Sequence, residues 1–388
     1  MSYADLPAPA RGLQICVIVP ARNEAEGIAD TLHALCQQVD GAGLPRSPES
    51  YEILVLANNC TDNTAEIARG VSLNYPEHQL HVCEVTFHPD HANVGRARRW
   101  LMHCAAVRLG GFRNSRGIIA STDADTVVDP DWLAAIALEI ANGADAVGGR
   151  IMLGQRGDDT DRALRRYHLH DVLFQHLLAE LGSRLDPVGH DPWPRHYQHF
   201  GANLATTVDA YLAVGGLPHV PMLEDIAYVE TLRRADLRIR HSPRVRVRTS
   251  ARRDGRVALG LSTQLEEWAG AVALGVIPPV EAAADAEARV RERRAWREWW
   301  HGLRRDAPVT EADEDWAAVA QQFTTFGAFY DATQALKPPC ELEPVTDAIT
   351  ALRKVLAELR EQPPLPLIRV SLEEIEPVVI GSPASQVA

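Results

Sequence analysis

Gly117-Ile118-Ile119-Ala120-Ser121-Thr122-Asp123-Ala124-Asp125 is a short apolar run that ends on two carboxylates. An unbroken run of small and β-branched residues suits a strand buried on both faces. Two acids two residues apart, just past such a strand, can hold a divalent cation, and the cation can hold a diphosphate. Hard oxygen ligands suit Mg2+ or Mn2+, which keep coordination positions open for substrate phosphates. Short acidic tripeptides are common on protein surfaces, so the meaning of this one comes from the series it belongs to.

Upstream and downstream, the chain alternates apolar runs with amphipathic stretches from residue 15 to about residue 150. The pattern predicts strands at Ile15–Val19, Ile53–Ala57, Leu80–Val85, Ile118–Ser121 and Ala146–Ile151. Between them it predicts helices at Ala25–Gln37, Asn63–Leu73, Val94–Leu109 and Pro130–Ala141. Such alternation implies an α/β fold with a mostly parallel, right-handed central sheet flanked by helices. Ligands of these sheets bind beyond the carboxyl ends of the strands. Pro20–Glu24, Asn58–Asp62 and Thr122–Asp125 all fall there.

Bulk composition narrows the function. The 388 residues carry a net charge of -13, which argues against a nucleic-acid partner. Lysine occurs only at Lys337 and Lys354, so arginine must handle phosphate over most of the chain. Six scattered cysteines without a Cys-x-x-Cys pair read as reduced thiols of a cytoplasmic protein rather than a zinc site. No stretch is apolar enough for a transmembrane helix, and the first thirteen residues lack the pattern of a signal peptide.

Residues 155–200 are dense in Arg, His, Asp, Trp and Tyr, first helical and then loop-like after Pro187. A second block follows: a helix near Thr207–Val214, a helix from Glu224 to about Ala235, and strands near Arg238–His241 and Val245–Thr249. Beyond Pro278 the pattern predicts helices at Glu281–Arg305, Asp313–Ala335 and Val345–Arg360. The pattern divides the chain into 1–150, 151–278, a helical region over 279–362 and a Pro-rich, loosely ordered tail over 363–388; the resemblance described next implies a donor-binding half for the first and an acceptor and catalytic-base half for the second.

Taken in order, these pieces resemble a family 2 glycosyltransferase with the GT-A nucleotide-sugar-binding fold. Val17–Glu24 resembles the opening strand and nucleotide loop, and Glu52–Thr64 the second strand and its loop. Asn93-Val94-Gly95-Arg96-Ala97 resembles the helix start beside the nucleotide, and Asp123-Ala124-Asp125 the metal motif. Gly201-Ala202-Asn203, Gly215-Gly216 and Glu224-Asp225 resemble the acceptor half. The resemblance covers residues 14–255 and implies a nucleotide-diphospho-sugar donor, Mg2+ or Mn2+, and inversion at the anomeric carbon. The acceptor is then a small molecule, a glycan or a lipid-linked group, and a homo-oligomer is possible.

The resemblance also implies roles. Asp125 ligates the metal, and Asp123 serves the metal or the donor ribose. Asp225, with Glu224 beside it, acts as general base. Pro20, Ala21, Arg22, Glu24, Asn58 and Arg96 line the nucleotide. Acids at 224 and 225 would also suit a helix start. Asp129, followed by Pro130, is the expected helix cap, which leaves the earlier acids without that role. Asn58-Asn59 stands where relatives often carry acids, so a uridine diphosphate sugar is the expected donor with a guanosine diphosphate sugar as alternative. Gln264-Leu265-Glu266-Glu267-Trp268 resembles the Gln-x-x-Arg-Trp motif of processive members but has Glu267 in the arginine position, which points to a non-processive enzyme. Arg248, Arg252 and Arg253 are candidates for the diphosphate, and His241 for the metal. A nucleotide-sugar pyrophosphorylase would need a Gly-rich loop with Lys after the first strand, and a dehydrogenase Gly-x-Gly-x-x-Gly. Neither is present. An inactive nucleotide-sugar-binding protein on the same fold is the alternative from another class.

Overall fold

The computed structural model describes residues 6–110, 116–153, 162–250, 270, 276–303 and 314–368. Its first part runs β1 (Ile15–Ala21), α1 (Ile28–Cys36), β2 (Tyr51–Asn58), α2 (Thr64–Asn74), β3 (Gln79–Val85), α3 (Val94–Arg108), β4 (Ile118–Ser121), β5 (Thr126–Val128), α4 (Trp132–Ala141) and β6 (Ala146–Leu153). Then come α5 (Arg162–Leu185), β7 (Leu204–Thr207), α6 (Val208–Ala213), α7 (Glu224–Arg234) and β8 (Ile239–Thr249). The rest comprises β9 (Pro279–Glu281), α8 (Ala283–Leu303), α9 (Glu314–Ala320), α10 (Phe326–Gln334), β10 (Leu342–Pro344) and α11 (Val345–Arg360).

Eight strands make one sheet in the order β3-β2-β1-β4-β7-β6-β8-β5. β3, β2, β1 and β4 are mutually parallel, and so are β6 and β8; β7 runs against β4 and β6, and β5 against β8. This is the mostly parallel, helix-flanked α/β architecture expected from the sequence, with the helical region following it.

Alternation along the central strands divides the core. Ile15, Val17 and Val19 of β1, with Ile53 and Val55 of β2, face α1 and α4, where Trp132 and Leu32 are fully buried. Cys16, Ile18, Leu54 and Leu56 face α3 and α7, meeting Leu101, Tyr228 and Leu232. Both faces are covered, which explains the absence of polar alternation in these strands. Each fully buried Val, Leu or Ile contributes about 1.5–3 kcal/mol relative to exposure. In the helical region, Phe174, Leu177 and Leu181 of α5 pack on Val290 of α8 and Leu352 and Leu356 of α11. Trp296, Trp299, Trp300, Phe326 and Phe329 form a separate aromatic cluster.

Several expectations need correction. β5 and β7 were not anticipated: three and four residues are too few for a periodic signal, and β7 opens directly into α6. The two late strands are one, β8, because a register shift between Gly149 and Arg150 accommodates the extra residues around Pro243. The helix expected over Asp313–Ala335 is two. α10 restarts where Phe326 N and Gly327 N donate to the Asp236 carboxylate at 2.7 and 2.8 Å, a cap supplied from another part of the chain. Asp129 does not cap α4, which begins at Trp132. Its carboxylate instead accepts from Arg248 Nη1 at 2.9 Å. The Gln264–Trp268 motif, Arg252 and Arg253 lie outside the described residues, as does most of the Pro-rich tail.

Because β1, β2 and β4 are parallel, their carboxyl ends share one rim. The segments after Ala21, Asn58 and Ser121 therefore converge. Antiparallel β7 starts at that same rim, with Leu204 opposite Ser121, so Gly201–Asn203 joins it.

Candidate active site

Arg98 organises the rim. It sits on α3 and is only 4% exposed. Its Nη2 donates to Asp123 Oδ1 at 2.7 Å, its Nη1 to Glu224 Oε1, and its Nε to Ser121 Oγ at 3.2 Å. Ser121 Oγ in turn donates to Gly201 O at 2.7 Å, and Gly201 N donates to Asp225 Oδ2 at 2.7 Å. One connected network thus joins the end of β4, the start of α7 and the turn before β7. Asp123, Glu224 and Asp225 lie in a single cluster.

Two glycines permit this approach. A Cβ at Gly201 would stand 2.4 Å from Arg98 Cζ, closer than any real contact. A Cβ at Gly95 would meet Glu224 Cβ and Cγ at 3.2 Å, so the Glu224 side chain lies against the backbone of α3 at that point. Leu223, just ahead of α7, adopts φ 56°, a left-handed conformation that costs a non-glycine residue free energy.

Charge in the cluster is unbalanced. Three carboxylates, from Asp123, Glu224 and Asp225, act on one buried guanidinium, and Asp125 adds its charge beside Asp123. Burial pushes Asp123 up to about 6; Arg98 opposes this, while Asp125, Asp225 and Glu224 reinforce it. Burial alone would lower Arg98, but Glu224, Asp123 and Asp225 outweigh it and leave the guanidinium above the ordinary arginine range. Glu224 is 4% exposed and committed to Arg98, whereas Asp225 is half-buried and held by Gly201 N and by Ile226 N at 2.8 Å.

Asp125 lies at the same rim. Its Oδ2 accepts from Ser250 Oγ at 2.5 Å, and Ser250 N donates to Asp125 O at 3.3 Å, so the end of β8 closes over the acidic pair. An excess of carboxylates around oxygen donors is the environment that Mg2+ and Mn2+ fit. Among the described residues no three His, Cys, Asp or Glu side chains are placed to hold a metal ion together, so Asp123 and Asp125 would leave most positions to phosphate and water. His241 is elsewhere: its Nδ1 bonds Asp191 Oδ2 at 2.9 Å.

The nucleotide-side candidates occupy the adjoining loops. Pro20 and Ala21 are buried at the end of β1. Arg22 Nη1 donates to Ala92 O at 2.7 Å, tying this loop to the approach to α3. Glu24 N donates to Thr64 Oγ1 at 2.7 Å, and Glu24 O accepts from Ile28 N at 2.9 Å, which starts α1. Asn58 is 2% exposed, and its Nδ2 has no hydrogen-bond partner, so a buried donor awaits an acceptor at the end of β2. Asn59, at φ 50°, is structural: its amide exchanges bonds of 2.9 and 3.0 Å with Phe87. Arg96 lies over the Phe87 ring, 5.1 Å from its centre.

Arg98, Ser121 and Ser250 were not anticipated. Arg98 did leave a signal, since it shares the buried phase of α3 with Gly95 and Met102 at spacings of three and four. Arg248 is not at the acidic pair: it is 57% exposed on its side chain and paired with Asp129.

The acids at 123 and 125 stand beyond the carboxyl ends of the parallel strands, where ligands of such sheets bind. Residues 16–192 match the model of glycosyl transferase family 2. Glycosyltransferase AglE of Haloferax volcanii is 30% identical over 138 residues, which is 35% of this chain and 39% of that protein. The chain therefore spans about two fifths of the curated relative it matches. Among solved structures, the mannosyltransferase PcManGT of Pyrobaculum calidifontis, in complex with GDP-Man and Mn2+, is 16% identical with a TM-score of 0.44, covering 92% of this chain and 84% of that one. TarS 1-349 of S. aureus, in complex with UDP-GlcNAc, is 14% identical with a TM-score of 0.43, covering 89% of this chain and 92% of that one.

Proposed function

We propose that the chain is a metal-dependent glycosyltransferase that moves a sugar from a nucleotide diphosphate donor to an acceptor hydroxyl with inversion. The observation that carries this reading is the excess of carboxylates around buried Arg98 at the carboxyl rim of the sheet. Such an excess calls for a cation, and the uneven burial of Glu224 and Asp225 separates a fixed acid from an available one.

Asp123 and Asp125 would hold Mg2+ or Mn2+. When bound, the cation supplies Lewis-acid stabilisation to the departing diphosphate. Pro20, Ala21, Arg22 and Glu24 form the nucleotide loop, Asn58 stands at the base edge, and Arg96 flanks it. Asp225 is the general base. Its two oxygens are oriented by Gly201 N and Ile226 N, and each keeps a lone pair to receive a proton. The acceptor oxygen loses its proton to Asp225 and bonds to the anomeric carbon as the carbon–diphosphate bond breaks on the opposite face. Glu224 is a positioning residue that holds Arg98, and Arg98 holds Asp123. A uridine diphosphate sugar is the first donor to test. All six cysteines are free, which supports a cytoplasmic setting, and no helix among the described residues is long and apolar enough to cross a membrane.

Calorimetry with UDP and GDP, with and without Mn2+, tests donor binding, and release of sugar from the matching donors tests turnover. Asp125→Ala should lose metal-dependent binding. Asp225→Asn should bind as the wild type does yet lose turnover by about 10²–10⁴-fold. Nucleotide binding without turnover in the wild type would favour the inactive-binder alternative. Wild-type rates in both variants would overturn the assignment.

A further inference from the structure

Charge along β8 is one-sided. From Leu237 to Arg256 the sequence has eight arginines and one acid, Asp254, in a chain whose net charge is -13. Residues of the strand alternate: Val245 and Val247 are buried in the core on the α4 side, and Arg244, Arg246 and Arg248 are exposed. Successive side chains of a strand stand on opposite faces of the sheet, so the three arginines share one face. β6 adds a fourth. Arg150 is in parallel register with Arg246, and it is exposed while its neighbour Ile151 packs on the core. Arg150 therefore stands on the same face as Arg246, with about 4.8 Å between the two backbones.

Acids do not neutralise this face. Arg248 takes Asp129, but the side chains of Arg150, Arg244 and Arg246 have no hydrogen bond or ion pair among the described residues. Like charges directly across neighbouring strands destabilise a sheet. Those two residues apart on one strand, at about 7 Å, lie within the screening length of about 8 Å at physiological salt. Protecting a sheet edge from other chains needs charge, but not charge of a single sign. An anion relieves such a row. Two guanidinium groups from adjacent strands can close on one phosphate, and their planar forks match its oxygens.

Position decides which anion. β8 ends on the acidic pair, where Ser250 Oγ donates to Asp125 Oδ2 at 2.5 Å. Arg246 is four residues earlier, about 13 Å along the strand. The donor diphosphate belongs at the cation beside Asp125, so an anion at Arg246 is a second one, on the other substrate. The net charge of -13 repels an anionic bilayer, which favours a small phosphate ligand over a membrane surface. Resting on the transfer reading above, we infer that Arg150 and Arg246, with Arg244 beside them, hold a phosphate group of the acceptor, on a part of that molecule remote from the hydroxyl that reacts. The ligand class is a phosphorylated sugar or another soluble phosphate ester.

The test is ¹⁵N NMR of the full chain labelled at arginine, with divalent cations chelated. Inorganic phosphate and glucose 6-phosphate should each shift the Nε resonances of Arg150 and Arg246, and glucose should not. Arg246→Gln should weaken the phosphate affinity read at Arg150 about three- to tenfold, the worth of one exposed charge-assisted contact. Added NaCl should weaken it in the wild type. Saturating glucose 6-phosphate should leave the affinity for UDP with Mg2+ unchanged, because the two anions occupy different places. Unmoved Nε resonances, or competition between glucose 6-phosphate and UDP, would overturn the inference. So would binding to phosphatidylglycerol vesicles without binding to either soluble phosphate, which would assign the face to a bilayer. These readouts need no turnover, so they stand apart from the transfer reading. With turnover, glucose 6-phosphate offered together with glucose should take the larger share of donor sugar, and Arg150→Gln with Arg246→Gln should remove that advantage. Equal shares in the wild type would separate the phosphate site from the acceptor and overturn the assignment.

Discussion

Replacing Arg98 with methionine keeps the stem volume on α3 and removes the guanidinium. Arg98 is 4% exposed on its side chain, Glu224 5% and Asp123 36%. Two unit charges about 4 Å apart interact by about 4 kcal/mol at an effective dielectric of 20. The Glu224 contact retains most of that, and the half-open Asp123 contact is discounted by solvent. Removing one partner of a buried pair costs about 3–5 kcal/mol, because the remaining charge is left uncompensated. At about 2–4 °C per kcal/mol for a large domain, the melting temperature should fall by about 6–20 °C. The loss should also depend on pH. Unpaired Glu224 must take a proton to remain buried, so the variant's native state binds more protons than its unfolded state. Its stability then rises as pH falls. Lowering pH from 8 to 5.5 should recover part of the lost stability, and adding Glu224→Gln should recover part of it at pH 8. Differential scanning calorimetry with urea titration at both pH values gives the answer. A melting point lowered by less than about 2 °C, with no pH dependence, would refute the reasoning.

Gly201→Ala drives a methyl group into the Arg98 guanidinium and should cost about 1–3 kcal/mol of stability by overpacking, together with most turnover. A folded variant with wild-type turnover would show that the Arg98 geometry is not needed. Because Asp123 is pushed up to about 6, it must lose a proton to serve a cation, so Mn2+-dependent UDP affinity should weaken up to tenfold per unit below pH 6. Calorimetry from pH 7.5 to 5 checks this, and flat affinity would exclude Asp123 as a ligand. Burial lowers His196 to about 3, so the unfolded state binds its proton first; that contribution is complete above pH 6.5 and is lost as pH falls. At pH 5 the loss is about 2 kcal/mol, which His196→Gln should not show if its amide keeps the Ser242 bond.

The parallel half of the sheet was legible because β1, β2 and β4 are covered on both faces, and continuous apolar runs of that length suit a buried strand. β5 and β7 were not, since their pairing is set by partners far along the chain, as Thr126 with Thr249 and Ile118 with Thr207 show. The acids at 123, 125, 224 and 225 could be named because their chemistry resides in residue type. Their coupling could not, because Arg98, Ser121 and Gly201 act through position: a buried arginine in a helix reads as a solvated one until the facing element is known. Asp129 misled for the same reason. Acid followed by proline predicts a cap, but Arg248 on β8 takes the carboxylate.

The strand order has a practical consequence for anyone exchanging specificity between related enzymes. Crossing the sheet from β4 to β5, neighbours come from residues 118–121, 204–207, 146–153, 239–249 and 126–128 in turn. Every splice point between 121 and 239 therefore separates ladders that must be made of matched partners. A hybrid joining one parent's front to another's back would inherit mismatched seams at several places at once. Exchanges that carry residues 118–249 as one cassette, together with Arg98, keep all of these seams native and leave the β1·β4 pairing as the one ladder to match.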